Sequence, residues 1–285
     1  MFERSLFLVV LAGAVWAQSP EHNQVEIYGQ KINYLEAGSG PEVILLHGLG
    51  GDSSNWSFTI PALAKSFHVY VPDQVGFGES DKPLINYRVA TLVDFLDGFC
   101  RKLAISKATI VGNSLGGWVA LDFALGHPEK VTKLVLVDSA GYSQQRTGGA
   151  PLARDVLLRL NPSTLEDTRK LMAVVFYNKN YSSEQVAEMG FVRHLHKNDS
   201  PTINAFIDSI LRGEDMLDGK LGAVKAPTLI MWGREDALIT LKAAKAFAED
   251  IAGSQSVVLD GCGHVPQVEC AGTFNEALGK FLAQP

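Results

Sequence analysis

The chain has 285 residues, 46% hydrophobic and 20% charged, which suits one α/β domain or one with an insertion and excludes a disordered chain. Its net charge of −6, with no cluster of Lys and Arg to reverse the sign locally, excludes a nucleic-acid partner. No repeat or low-complexity tract is present.

The first residues read as an export signal. Met1-Phe2-Glu3-Arg4 is a short charged start, residues 5–16 are almost wholly apolar, and Val15-Trp16-Ala17 offers a cleavage site after Ala17. The apolar run is about a dozen residues, short of the roughly 20 that a membrane span needs. A periplasmic or secreted chain without a stable membrane span is expected, its mature part starting at residue 18.

Strand-like and helix-like segments then alternate. Residues 24–27 and 31–36 alternate apolar and polar around Gly29-Gln30, the pattern of a hairpin. Residues 43–46 and 69–71 are short apolar runs, as expected of strands buried on both faces of a parallel sheet. Between them residues 56–64 have helical spacing, and residues 88–103 form a longer amphipathic pattern. Residues 109–111, 134–137, 229–232 and 257–259 supply further strands. This alternation predicts βαβ crossovers and a mostly parallel sheet covered on both faces.

One stretch breaks the rhythm. From about residue 141 to 221 no apolar strand run occurs, while helical patterns recur at 152–160, 165–177, 183–196 and 202–211, punctuated by Pro162 and Pro201. The expected organisation is a core at 18–140 and 222–285 with a helical cap at 141–221. The three cysteines, Cys100, Cys262 and Cys270, allow at most one internal bridge. Cys262 and Cys270 flank His264 and read as packing thiols, with a local disulfide as the alternative.

The chemistry is carried by Gly112-Asn113-Ser114-Leu115-Gly116-Gly117, a G-x-S-x-G pattern between a buried strand and an apolar helix. A sharp strand-to-helix turn exposes the Ser114 hydroxyl, and the glycines remove side chains that would collide there. A serine nucleophile needs a base. His264 lies in Gly261-Cys262-Gly263-His264 just past the last strand, where loops at the ends of parallel strands converge. The base needs an acid, and Asp236 follows the strand at 229–232. Asp138 and Glu235 are rival acids. The oxyanion would be held by the backbone N–H groups of Leu49 and Leu115. His47 reads as a residue that holds the glycine loop, and Asp73 as one that shapes the next. No metal or cofactor is expected.

His47-Gly48 with its glycine loop, Asp73, Gly76-x-Gly78-x-Ser80, the elbow at Ser114, Gly233-x-x-Asp236 and Gly263-His264 together resemble the α/β-hydrolase superfamily, over residues 24–282. The resemblance implies an eight-stranded, mostly parallel sheet with a lid over a Ser114–His264–Asp236 triad. Two branches compete. Residues 171–177 and the Gly-Asn-Ser elbow resemble meta-cleavage-product hydrolases, which split carbon–carbon bonds in vinylogous diketones, whereas carboxylesterases and small lipases share the same loops. Val265-Pro266 stands where the meta-cleavage branch usually places Trp after the histidine, and that branch works inside the cell. A small-molecule ester is therefore the expected substrate and carbon–carbon cleavage the alternative. Arg193, near where that branch keeps an anion-binding Arg, favours the alternative. A non-catalytic small-molecule binding protein on the same fold is the third reading.

Overall fold

The computed structural model describes residues 19–147 and 153–285, so the proposed export signal lies outside the described residues. The chain opens with strands β1 (Glu21–Ile27), β2 (Gln30–Ala37) and β3 (Glu42–Leu46), followed by the short helix α1 (Ile60–Leu63) and β4 (His68–Pro72). Helix α2 (Val89–Lys102), β5 (Ala108–Asn113), α3 (Leu115–Gly126) and β6 (Val131–Val137) complete the first half. Four helices follow: α4 (Arg154–Leu157), α5 (Leu165–Val175), α6 (Glu184–Lys197) and α7 (Ser200–Leu211). The chain then returns through β7 (Thr228–Gly233), α8 (Leu241–Asp250), β8 (Gln255–Leu259), α9 (Pro266–Glu269) and α10 (Ala271–Leu282).

The eight strands form one sheet in the order β1-β2-β4-β3-β5-β6-β7-β8. The β1–β2 and β2–β4 pairs are antiparallel and all others parallel. The expected α/β architecture with a mostly parallel eight-stranded sheet is the one observed.

The two-residue period of a strand divides its apolar side chains between two cores. Ile44 and Leu46, Ile110, Leu134 and Leu136, and Ile230 and Trp232 face the core covered by α2, α3, α7 and α8. Val43 and Leu45, Val111, Val135 and Val137, and Leu229 and Met231 face the core covered by α1 and α10. Helix α3 is apolar on nearly every side because it is buried on nearly every side.

Two local expectations change. The single helix read at 56–64 is a turn of 3-10 helix at Ser53–Trp56 followed by α1. Pro61 explains the break, because proline is tolerated in a helix's first turn and disrupts its interior. Cys262 and Cys270 are bridged, with Cα atoms 6.1 Å apart, rather than being two packing thiols; Cys100 is free and buried. The loop after Cys262 and the short helix α9 that Cys270 caps bring them within bonding reach, which an eight-residue spacing alone does not reveal.

Candidate active site

Ser114 sits between β5 and α3 with φ 55° and ψ −116°, a strained conformation for a residue with a side chain. Its N–H donates to the Val137 carbonyl (2.9 Å), and its own carbonyl accepts from Gly117, Trp118 and Ala140. The turn closes so tightly that a Cβ on Gly112 would lie 2.1 Å from the Gly116 oxygen, and one on Gly116 would lie 2.4 Å from the Leu46 oxygen. Only glycine fits at either position.

The loop after β3 packs against this turn: a Cβ on Gly48 would lie 3.1 Å from the Ser114 Cβ. His47 holds that loop, as its sequence position suggested. Burial lowers its pKa and keeps it neutral, so Nδ1 donates to the Gly48 carbonyl (2.8 Å) and Nε2 accepts from the Gln74 N–H (3.0 Å). Leu49, in the loop after β3, and Leu115, the first residue of α3, therefore flank the Ser114 turn, and neither backbone N–H has a partner among the described residues. Two unpaired N–H groups beside one hydroxyl suit a developing oxyanion. Asp73 shapes the next loop, accepting from Ser53 N–H (2.7 Å) and Glu79 N–H (2.9 Å).

Asp236 and His264 meet at the ends of β7 and β8. His264 Nδ1 lies 2.8 Å from Asp236 Oδ2, and both residues are buried. Asp236 Oδ1 is occupied by the N–H groups of Leu238 (2.8 Å) and Ile239 (2.9 Å), which leaves Oδ2 for the imidazole. Burial alone would raise the Asp236 carboxyl, but His264, the Ile239 N–H and Asp138 override it and hold it below the usual carboxylate range. With Nδ1 so engaged, Nε2 is left to serve as a base. The Ser114 hydroxyl makes no hydrogen bond to His264; such contacts often tighten only when substrate binds.

The rival acids have other partners. Glu235 accepts from the Cys262 N–H (3.0 Å) and so braces the histidine loop. Asp138, at the end of β6, accepts from the Gly233 N–H (3.0 Å) and lies beside Asp236. Arg193 is bound to Asp52 and Ser54. It faces a surface cleft of about 500 Å³ lined also by His22, Asn23, Glu79 and His196, which does not include Ser114.

Three residues were not singled out from sequence. Asn113 Nδ2 donates to the carbonyls of Val137 and His264, both at 3.1 Å, and so ties the elbow to the histidine loop. Glu269 gathers three backbone donors: Gly263 N–H on Oε1, and Tyr177 and Asn178 N–H on Oε2, each at 2.9 Å. With the His264 N–H donating to Val175 (2.8 Å), it fastens the histidine loop to the end of α5. Glu269→Gln replaces one acceptor by a donor facing an N–H. It is expected to lower Tm by several degrees and kcat by about 10-fold, from one unsatisfied buried group. Unchanged kcat with lowered Tm would show that Glu269 only stabilises.

The third is Lys197. Its ammonium reaches Asp52 Oδ2 and the Gly50 carbonyl, both at 2.8 Å, and joins α6 to the glycine loop. Burial pushes the Asp52 carboxyl up, but Lys197, Ser54 and Arg193 more than offset this and hold it well below the usual range. A depressed carboxyl contributes stability above its unfolded value and loses it as pH falls toward its folded one. Asp52→Asn is therefore expected to lower Tm at pH 7, with the gap to wild type narrowing below about pH 4. A gap constant from pH 7 to pH 3 would contradict this.

A profile of the alpha/beta hydrolase fold matches residues 41–169. A 2-hydroxymuconate semialdehyde hydrolase from Pseudomonas sp. (strain CF600) is 34% identical over 275 residues, 93% of this chain and 95% of that protein. Among solved structures, a meta-cleavage product hydrolase from Pseudomonas fluorescens IP01 superposes with a TM-score of 0.83 at 30% identity, covering 91% of this chain and 97% of that one. A bacterial membrane phospholipase A superposes equally well, at 0.83 with 27% identity, covering 92% and 86%. Identity over nearly the whole chain, the sheet order and the strained serine turn agree, and the protein belongs to the α/β-hydrolase family.

Proposed function

We propose that the protein is a serine-nucleophile hydrolase that cleaves a carbon–carbon bond next to a carbonyl in a dienol diketone. The observation that carries the substrate class is the 34% identity, across 93% of the chain, to a 2-hydroxymuconate semialdehyde hydrolase. Residues alone favoured an ester; the relatives reverse that order. In the proposed reaction Ser114 Oγ attacks the carbonyl carbon while His264 takes its proton. The N–H groups of Leu49 and Leu115 hold the oxyanion. The bond to the neighbouring carbon then breaks, and that carbon takes the proton from His264. Water, deprotonated by His264, releases the acid from Ser114. The helices between β6 and β7 are proposed to act as the cap over this centre.

Ester hydrolysis is the second reading, and Arg193 favours it. The cation that would hold the anionic end of a dienol is bound to Asp52 and Ser54 instead. The experiment compares loss of dienol absorbance with p-nitrophenyl butyrate hydrolysis. On this reading kcat/KM on the dienol should exceed that on the ester by about 100-fold or more, a discrimination that pocket contacts can supply. The opposite ratio would give the protein to the esterases. We further propose that the mature chain is exported, a reading supported by the Cys262–Cys270 bridge, since disulfides persist in oxidising compartments. N-terminal sequencing of protein from its native compartment should begin at residue 18; an intact residue 1 would contradict export.

A further inference from the structure

Asp138 is a buried carboxylate beside the centre to which the reaction above gives no task. It is fully buried at the end of β6, and its backbone N–H donates to the Met231 carbonyl (3.0 Å) on β7. Its Oδ1 accepts the Gly233 N–H, while its Oδ2 is buried with no conventional donor among the described residues. One side-chain oxygen each of Asp138 and Asp236 and one ring nitrogen of His264 all lie within 4.8 Å of one another.

Two carboxylates this close, away from water, cannot both ionise at ordinary cost. One proton must be shared, and the surroundings say where it sits. Asp236 already receives two backbone N–H groups and the imidazole, all of which favour its charge. Asp138 receives a single N–H. An uncharged Asp138 turns its orphan Oδ2 into a donor, and the neighbouring Asp236 carboxylate is the acceptor that would satisfy it.

We propose that Asp138 is a positioning residue of this centre: a neutral carboxylic acid that donates its proton in a hydrogen bond to Asp236 and fixes the carboxylate that faces His264. The proton stays on Asp138 throughout the cycle. Burial, then the neighbouring Asp236 charge, pushes the Asp138 carboxyl well above the usual range, and Glu269 on α9 acts in the same direction. The backbone N–H of Gly233 is the only opposing influence among these groups. The pair then resembles a carboxylate dyad with one proton, ordered by unequal donors. A donor on Asp236 also tempers the basicity that Asp236 confers on the imidazole, so Asp138 acts on the reaction through two other residues.

The inference rests on the triad reading, and its test keeps the two apart. Asp138→Asn can accept from Gly233 with Oδ1 and donate to Asp236 with Nδ2. It is expected to keep kcat within about 3-fold and leave the pH–rate profile in place, since one hydrogen bond replaces another of the same sense. Asp138→Ala removes the donor. It is expected to lower kcat by about 10-fold or more and to move the acid limb of the profile to higher pH, as Asp236 then holds its charge closer to the imidazole. Infrared spectroscopy of the folded protein at pH 7 should show a protonated carboxylic acid band that Asp138→Asn abolishes. This readout needs no substrate and stands whether or not Ser114 is the nucleophile, and it decides the matter even if Asp138→Ala fails to fold. A protonated band absent from wild type would overturn the proposal. So would an Asp138→Asn enzyme crippled by about 1,000-fold, the result expected of an ionised Asp138 that serves as the working acid.

Discussion

Ser114→Ala is expected to lower kcat by on the order of 10⁴ to 10⁶, because nucleophile, base and acid act as a unit. The fold should not change with it. The φ of 55° at this position costs alanine about what it costs serine, and the Cβ that faces the Gly48 loop is retained. The Ser114 N–H and C=O bonds, four in all, are backbone bonds that the substitution leaves in place. Tm should therefore stay within a few degrees of wild type while turnover of both dienol and ester disappears. Activity surviving at more than about a tenth would remove Ser114 from the reaction, whereas a wild-type protein that turns over neither compound would favour the binding-protein reading.

Asp236→Asn should be the next most damaging change, on the order of 10⁴ in kcat, for a reason the hydrogen bonds dictate. The side-chain oxygen of the new amide must face the N–H groups of Leu238 and Ile239. Its NH₂ then points at His264 Nδ1, which must become an acceptor. The proton moves to Nε2, and the atom that should take the Ser114 proton no longer can. The expected signature is a large loss of kcat at an almost unchanged KM, with kcat not recovering as pH rises. If Asp236→Asn were mild, the acid would have to be sought elsewhere.

Much of this centre could be read in the sequence because it depends on local chemistry. The elbow announces itself through glycines that must be glycine, Asp236 through its place just beyond the buried strand β7, and His264 through its place just beyond the edge strand β8. The sheet was legible because fully buried strands are short continuous apolar runs. What escaped depends on distant partners. Glu269 holds backbone groups from residues 177, 178 and 263, and no sequence pattern encodes acceptance of two N–H groups from a segment more than 90 positions away together with one from its own neighbourhood. Asn113 stood inside the motif, but its bond to the His264 carbonyl spans 151 positions. Arg193 shows the converse: the resemblance to the meta-cleavage branch offered it as an anion ligand, and only the fold reveals that Asp52 lies beside it. The broken helix at 56–64 was readable, since Pro61 stands in its middle.

The central claim is that Ser114 is made nucleophilic by His264, and covalent labelling tests it without any assumption about substrate. Purified protein would be treated with a small alkyl fluorophosphonate, which phosphonylates an activated serine and expels fluoride, and then measured by intact mass and peptide mapping. A single adduct is expected, carried by Ser114, that fails to form in Ser114→Ala and forms far more slowly in His264→Ala. An unlabelled protein, an adduct on another residue, or labelling of Ser114 at an undiminished rate without His264 would contradict it.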